Sequence, residues 1–316
     1  VTLTDLRYLV ALAHERHFGR AAEKCNVSQP TLSVAVKKLE DELGVMLFER
    51  SASDVKLTEI GEPLVEQAEK VLLEASQIRE IAEAGKDPMV GPLRLGVIYT
   101  IAPYLLPSLI PLMHERAPKV PLIIQENYTA RLLESLKRGE LDVIIAALPL
   151  DQPGVVAQAA YEEPFRIVMP SGHPWAAEKK VDAEHLAEEP LLLLGAGNCF
   201  RDQVLEACPR CVRGNAGGSG TGLQRTLEGS SLETIRHMVA TGVGVTVLPC
   251  SAADPLAKNQ SLVEVRPFTE PEPFRTVALA WRVTYPRNGI IDVLREAIVD
   301  SKLPGVRTLR VGRRAA

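Results

Sequence analysis

Phe18-Gly-Arg-Ala-Ala-Glu-Lys-Cys25, Asn26-Val27, then Ser28-Gln-Pro-Thr-Leu-Ser-Val-Ala-Val-Lys-Lys-Leu-Glu40 spells a helix, a turn and a second helix. Ala21, Ala22 and Cys25 share one face of the first helix. Ser28 suits the N-cap of the second, Pro30 its first turn, and Gly44 its end. Upstream, Leu3, Leu6, Val10 and Ala13 recur at helical spacing and predict a preceding helix. Downstream, residues 45–50 and 55–58 read as two short strands around the polar tip Ser51-Ala-Ser53-Asp54. Three helices followed by a hairpin form a winged helix-turn-helix. The expected reader domain, essentially all-α, covers residues 1–58.

Such a domain puts the N-terminal residues of its second helix on base edges in the major groove. Here those are Gln29, Pro30, Thr31 and Ser33, with Lys37 further along. Gln pairs bidentately with adenine, and a Pro ring or Thr methyl can touch a thymine methyl. Arg50, beside the hairpin tip, is placed to reach the DNA backbone or minor groove. The 316-residue chain carries a net charge of −4, which does not advertise nucleic-acid binding. Charge distribution says more. Residues 1–58 hold eight basic and eight acidic side chains, but Arg16, Arg20, Lys24, Lys37 and Lys38 cluster against Glu23 alone. Residues 39–49 carry only acids, so one face can meet phosphates.

Ile60, Leu64, Ala68, Val71, Ala75, Ile78 and Ala82 step by four and three residues, which is a heptad seam. A helix over about 58–85 would pair two copies through Leu64, Val71 and Ile78 in one register and the alanines in the other. Lys86-Asp-Pro88 and Gly91-Pro92 end it, so residues 59–91 read as a dimerising linker helix and hinge. From Leu93 onward, apolar strands (93–98, 122–125, 143–147, 165–169, 191–194, 243–248, 276–281) alternate with helices (105–116, 130–138, 232–241, 290–301). That pattern predicts an α/β domain with a mainly parallel sheet. Its length suggests two lobes flanking a cleft, about 92–162 with 268–303, and 163–267. The Gly-rich stretch 214–222 reads as a mobile loop, and the basic tail 304–316 as disordered.

Composition bounds the rest. Hydrophobic residues make up 46% and charged ones 24%, an ordinary globular balance. No apolar run reaches membrane-helix length, and no leader pattern is present, so a cytoplasmic protein without a membrane partner is expected. Five cysteines are too few and too sparse for a secreted disulfide scaffold; a disulfide here would be transient or sensory. Cys199, Cys208 and Cys211 lack a fourth ligand at zinc-finger spacing, and the six histidines are scattered, so neither a metal nor another cofactor is expected. His14 and His17 read as surface or core-edge residues, Cys25 and Cys250 as inert core thiols.

Phe18-Gly-Arg-Ala-Ala, Ser28-Gln-Pro-Thr-Leu-Ser33, Leu39-Glu-Asp-Glu-Leu-Gly44, Leu47-Phe-Glu-Arg50 and Leu57-Thr-Glu-Ile-Gly61 strongly resemble the LysR-type transcriptional regulators. The resemblance spans the whole chain. It implies a periplasmic-binding-protein-like effector domain behind the linker helix, homodimers that assemble into tetramers, a double-stranded DNA operator, and RNA polymerase as a further contact. Most such regulators bind a small metabolite in the cleft, and that reading is the alternative here. The segment Gly197-Asn-Cys-Phe-Arg-Asp-Gln203 with Cys208 instead resembles the hydrogen peroxide sensors of OxyR type within the family. There the cysteine matching Cys199 reacts with peroxide and the one matching Cys208 resolves it into a disulfide. Thr100, Thr129, Asn198, Asp202 and Arg266 match the surrounding pocket, Arg266 as the basic neighbour of the thiolate. Similar sensors typically carry His where this chain has Asn198.

The chemistry follows from thiols in general. A thiolate is the nucleophile, and a helix N-terminus with Arg201 and Arg266 nearby would favour it. Peroxide converts it to sulfenic acid, which a second thiol condenses to a disulfide. Nine residues along a continuous helix is a rise of about 14 Å and about 900° of rotation, so Cys199 and Cys208 would lie on opposite faces. A disulfide needs Cα atoms within about 7 Å. Joining them therefore requires the helix to break, which is the expected trigger. Cys208-Pro-Arg-Cys211 leaves a choice open: Cys211 either competes for Cys208 or is a bystander, and the reading leans to bystander. The protein would be consumed stoichiometrically and re-reduced by another thiol system, so it is expected not to be an enzyme.

Overall fold

The structure, a computed structural model, describes residues 1–50, 55–84, 87–211, 226–259 and 262–309. The hairpin tip 51–54, the Gly-rich stretch 214–222 and the chain end from residue 310 lie outside the described residues. The chain divides into two compact units: Val1–Lys86 with Lys137–Gly139, and Asp87–Leu136 with Glu140–Ala316. No helix among the described residues is long and apolar enough to cross a membrane.

In the first unit, α1 (Leu3–Glu15), α2 (Phe18–Lys24) and α3 (Gln29–Leu43) precede an antiparallel pair, β1 (Phe48–Arg50) and β2 (Val55–Leu57). The unit is therefore not all-α: the wing is a true two-stranded sheet. Local chemistry sets each boundary. Thr2 and Asp5 form a reciprocal capping box on α1. His17 caps α2, its Nδ1 accepting from the amides of Gly19 and Arg20. Ser28 caps α3 by accepting from the Thr31 amide at 3.3 Å, and Gly44 ends it in the left-handed region at φ 70°. Leu9, Leu12, Ala21, Leu32, Val36 and Leu39 close one core. The buried Glu40 carboxylate accepts from the amides of Leu47 and Phe48, at 2.9 and 3.2 Å, tying α3 to the wing.

The linker helix, α4 (Gly61–Ala84), starts three residues later than the heptad seam implied. Thr58 stops the strand: its hydroxyl donates to Met46 O at 2.7 Å and accepts from the Gly61 amide at 3.0 Å. A Cβ at Gly61 would collide with Leu47 O, so only glycine fits that approach. The seam itself divides. Ala68 is buried in the reader core and Leu64 packs against it, whereas Val71 is 38% and Ile78 70% exposed.

The second unit runs β3 (Leu93–Ile98), α5 (Ala102–Arg116), β4 (Leu122–Asn127), α6 (Thr129–Lys137), β5 (Val143–Ala147), β6 (Val155–Pro170), β7 (Leu191–Leu194), α7 (Cys199–Ala207), β8 (Thr226–Gly229), β9 (Val245–Pro249), β10 (Val263–Pro267) and β11 (Phe274–Arg282). Helices Leu232–Ala240 and Asn288–Asp300 complete the layers. The strand order is β4-β3-β5-β11-β6-β9-β7-β8, with β10 beside β6. The expected mainly parallel sheet is corrected to a mixed one. Parallel pairs β3–β4, β3–β5, β7–β8 and β7–β9 flank antiparallel β5–β11, β11–β6 and β6–β9. The reason is β6: its 16 residues run through both halves, and β11 returns alongside it.

Two hydrophobic cores result. One gathers Leu93, Leu95, Leu105, Ile145, Leu279 and Leu294; the other Phe165, Ile167, Leu192, Phe200, Val247 and Val265. The expected disordered tail is also corrected at its start: Arg307–Thr308 pair with Glu162 and Tyr161 of β6, and Arg307 bonds Glu272 at 2.7 Å.

Candidate functional site

The residues expected from sequence to face DNA lie mostly on the solvent side of α3. On α3, Gln29, Pro30, Thr31 and Lys37 point to solvent and Ser33 is half-buried, while Leu32 and Val36 anchor the opposite side. Val34, not singled out from sequence, is 68% exposed on that solvent face. Arg50 ends β1; its side chain lies outside the described residues.

The thiol site is built at the start of α7. β7 delivers the chain to Gly195-Ala-Gly-Asn198, and Gly197 sits at φ 91°, a backbone that L side chains rarely adopt. Asn198 occupies the N-cap position but makes no side-chain cap bond; its amide instead donates to Gly195 O at 3.1 Å. Cys199 is thus the first residue of α7, a free and half-buried thiol packed against the first core. The Thr129 hydroxyl, at the start of α6, donates to its Sγ at 3.6 Å. Thr100, Thr129 and Asn198 line one small pocket with Cys199, and Tyr99 and Tyr128 pack edge-to-face beside it at 5.3 Å. The pocket opens to solvent and has room for little more than a water-sized molecule.

Two expected members fall elsewhere. Asp202 is exposed on the outer side of α7. Arg266, on β10, donates to the carbonyls of Glu178, Ala176 and Val265 and pairs with Glu264 at 3.0 Å, so its charge is held in the second core's rim. Arg201 likewise turns away, to Leu194 O at 2.8 Å and Glu228 at 2.7 Å.

The cation behind the pocket is Arg275, which sequence reasoning missed. It is buried, bonds Glu163 at 2.6 Å, and donates to Thr100 Oγ1 at 2.8 Å and Thr100 O at 2.9 Å. It also lies over the Phe200 ring at 5.1 Å. Burial opposes its charge, but the Glu163 carboxylate overrides that and holds the guanidinium protonated; Cys199 is among the groups its charge feels. The available signal was a charged residue inside the apolar strand Phe274-Arg-Thr-Val-Ala-Leu. Arginine cannot accept, so the Thr100 hydroxyl receives its bond and keeps its own proton to donate.

The remaining cysteines separate cleanly. Burial, reinforced by Glu163, pushes the Cys250 thiol up to about 12, and burial also raises Cys25. Both are poor nucleophiles. Cys208 is the C-cap of α7 and belongs to the second core, so an intact nine-residue helix separates it from Cys199. The leaning to a bystander Cys211 is corrected: Cys211 is bonded to Cys208, with Cα atoms 5.6 Å apart.

Because Asn198 cannot titrate, the pH profile of peroxide oxidation at this site is expected to carry no imidazole step. Asn198→His should add a second inflection near pH ~6.5, with the imidazolium aiding the thiolate below it. Stopped-flow rates from pH 5 to 9 check this; superimposable curves for the two proteins would refute it.

Comparison with known proteins now adds to the geometry. Residues 3–62 match the family "Bacterial regulatory helix-turn-helix protein, lysR family" and residues 86–302 match "LysR substrate binding domain". The chain is 42% identical over 298 residues to the DNA-binding transcriptional dual regulator OxyR of Escherichia coli K12, covering 94% of this chain and 95% of that one. Full-length Pseudomonas aeruginosa OxyR with a cysteine-to-aspartate substitution is 53% identical, covers 99% of each chain and superposes with a TM-score of 0.77. A hydrogen-peroxide-bound cysteine-to-serine mutant of Corynebacterium glutamicum OxyR is 34% identical, covers 95% of this chain and 92% of that one, and has a TM-score of 0.61.

Proposed function

This chain belongs to the LysR family of bacterial regulatory proteins, and on that premise we propose that it is a peroxide-responsive transcription regulator of the OxyR type. One observation carries the reading: a free thiol begins a helix at a small polar pocket with room for little more than a water-sized molecule, where Thr129 donates to the sulfur. The metabolite alternative gives this thiol no role.

Peroxide enters beside Cys199. The Cys199 thiol gives its proton to solvent; the thiolate attacks one peroxide oxygen, the O–O bond breaks, the departing hydroxide takes a proton back and leaves as water, and Cys199 becomes a sulfenic acid. Thr129 steadies the sulfur, the Thr100 hydroxyl donates to a peroxide oxygen, and the uncapped first-turn amides of α7 favour the negative charge that develops. Asn198 shapes the turn that aims those amides. Cys208 then condenses with the sulfenic acid. Its sulfur belongs to a different core at the other end of α7, so the Cys199–Cys208 bond unwinds the helix and remodels the regulatory unit.

The reader domain acts through Gln29, Pro30, Thr31, Ser33 and Lys37 on α3, with Arg50 at the wing. Two copies pair along α4, where Val71 and Ile78 offer apolar surface, and two pairs form a tetramer on one operator. The regulatory unit works as a two-lobed clamshell in the manner of periplasmic binding proteins. The protein acts in the cytoplasm, with RNA polymerase as its further contact, and turns over no substrate. The test is a footprint of reduced and peroxide-treated protein on one operator. The protected pattern should change on oxidation in the wild type and stay fixed in Cys199→Ser; a change that survives in Cys199→Ser would overturn the reading.

A further inference from the structure

Cys208 is bonded to Cys211 while Cys199 is a free thiol at the start of an intact α7. The switch proposed above needs the same Cys208 sulfur for a different bond, and one sulfur cannot serve both. We propose that Cys208–Cys211 is a second redox couple, which draws the oxidising equivalents off the Cys199–Cys208 disulfide and returns Cys199 to its thiol. The inference rests on the reading of Cys199 as the peroxide-reactive group.

The sequence of bonds balances. Hydrogen peroxide oxidises the Cys199 thiol to sulfenic acid and releases one water. The Cys208 thiol attacks that sulfur, the S–O bond breaks, a second water leaves, and Cys199–Cys208 forms. Cys211 then gives its proton to solvent and attacks Cys208 Sγ; the Cys199–Cys208 bond breaks, and Cys199 departs as a thiolate that takes up a proton. In sum, one peroxide is reduced to two waters, Cys208 and Cys211 lose two electrons to become a disulfide, and Cys199 ends as it began.

Geometry gives the last step its direction. The Cys199–Cys208 bond is incompatible with α7, so it forfeits the burial of Phe200 and Val204, which are 2% and 1% exposed when the helix is wound. The Cys208–Cys211 bond lies beyond the last turn and leaves α7 whole. Transfer therefore restores the packing that the switch disrupted. Cys211 is also adjacent: the 5.6 Å Cα separation is within ordinary disulfide range, so its attack is intramolecular and unhindered by distance. The activated state thus carries its own timer, independent of an outside reductant.

The experiment starts from fully reduced full-length protein, freed of reductant and given one equivalent of hydrogen peroxide. Samples are alkylated at intervals and their disulfides mapped by peptide mass. In the wild type, Cys199–Cys208 should rise and then give way to Cys208–Cys211 with Cys199 alkylated. Cys211→Ser should stop at Cys199–Cys208, and Cys199→Ser should form Cys208–Cys211 far more slowly than the wild type. Persistence of Cys199–Cys208 in the wild type for as long as in Cys211→Ser would overturn the proposal. So would formation of Cys208–Cys211 in Cys199→Ser at the wild-type rate. Failure of Cys211→Ser to form Cys199–Cys208 at all would instead sink the functional reading beneath it.

Discussion

Phe200→Ala should make the Cys199–Cys208 disulfide harder to reduce, by roughly 60–100 mV. Phe200 is almost fully buried in the second core, packed edge-to-face on Phe165 at 5.1 Å and beneath the Arg275 guanidinium. Removing such a ring costs about 3–5 kcal/mol. The cost falls on the thiol form, in which α7 is wound, and spares the disulfide form, in which the helix has already given up this contact. Reduction then recovers less packing than before, so the potential becomes more negative; about 1.4 kcal/mol corresponds to about 30 mV for a two-electron couple. Titration against glutathione buffers, with Cys211→Ser in both proteins to remove the competing bond, measures the shift. An unchanged midpoint would mean that α7 packing does not oppose the switch.

Arg275→Ala should lower the stability of the regulatory unit by about 3–5 kcal/mol, because it strands a fully buried Glu163 carboxylate. Thr100 simultaneously loses donors to its hydroxyl and to its carbonyl. For a unit of this size the melting temperature should fall by about 6–20 °C. Arg275→Met combined with Glu163→Leu removes both charges and should recover most of the loss, since a buried pair replaced by apolar groups is often close to neutral. Differential scanning calorimetry of the three proteins decides the matter. A single mutant that melts with the wild type would show that the pair does not hold the pocket's rear wall.

Arg275 also marks how far the sequence could be read. Reader helices were legible because their signals are local: Ser28, Pro30 and Gly44 punctuate α3, and the periodic Leu32, Val36 and Leu39 define its buried face. Residues 93–98, 143–147 and 191–194 were likewise found as strands, being continuous apolar runs bounded by turns. The heptad of α4 was read as one seam, yet its first turns serve the reader core, because a repeat states which residues share a face and not what covers it.

Sequence by itself determined the reader helices and wing, the strands that are continuous apolar runs, the helix that begins at Cys199, and the nine-residue separation that opposes a bond to Cys208; it did not show β8, β10 or the first ten residues of β6. Tertiary structure alone decided that β6 and β11 run antiparallel, that Arg275 rather than Arg266 stands behind the pocket, and that Cys211 holds Cys208. The reason is physical. Helix and strand signals arise from neighbours a few residues apart, whereas Arg275 meets Glu163 and Thr100 across 112 and 175 residues. Which distant groups meet is set by strand order and by the packing of whole cores, a sum over many contacts that no single stretch of chain carries.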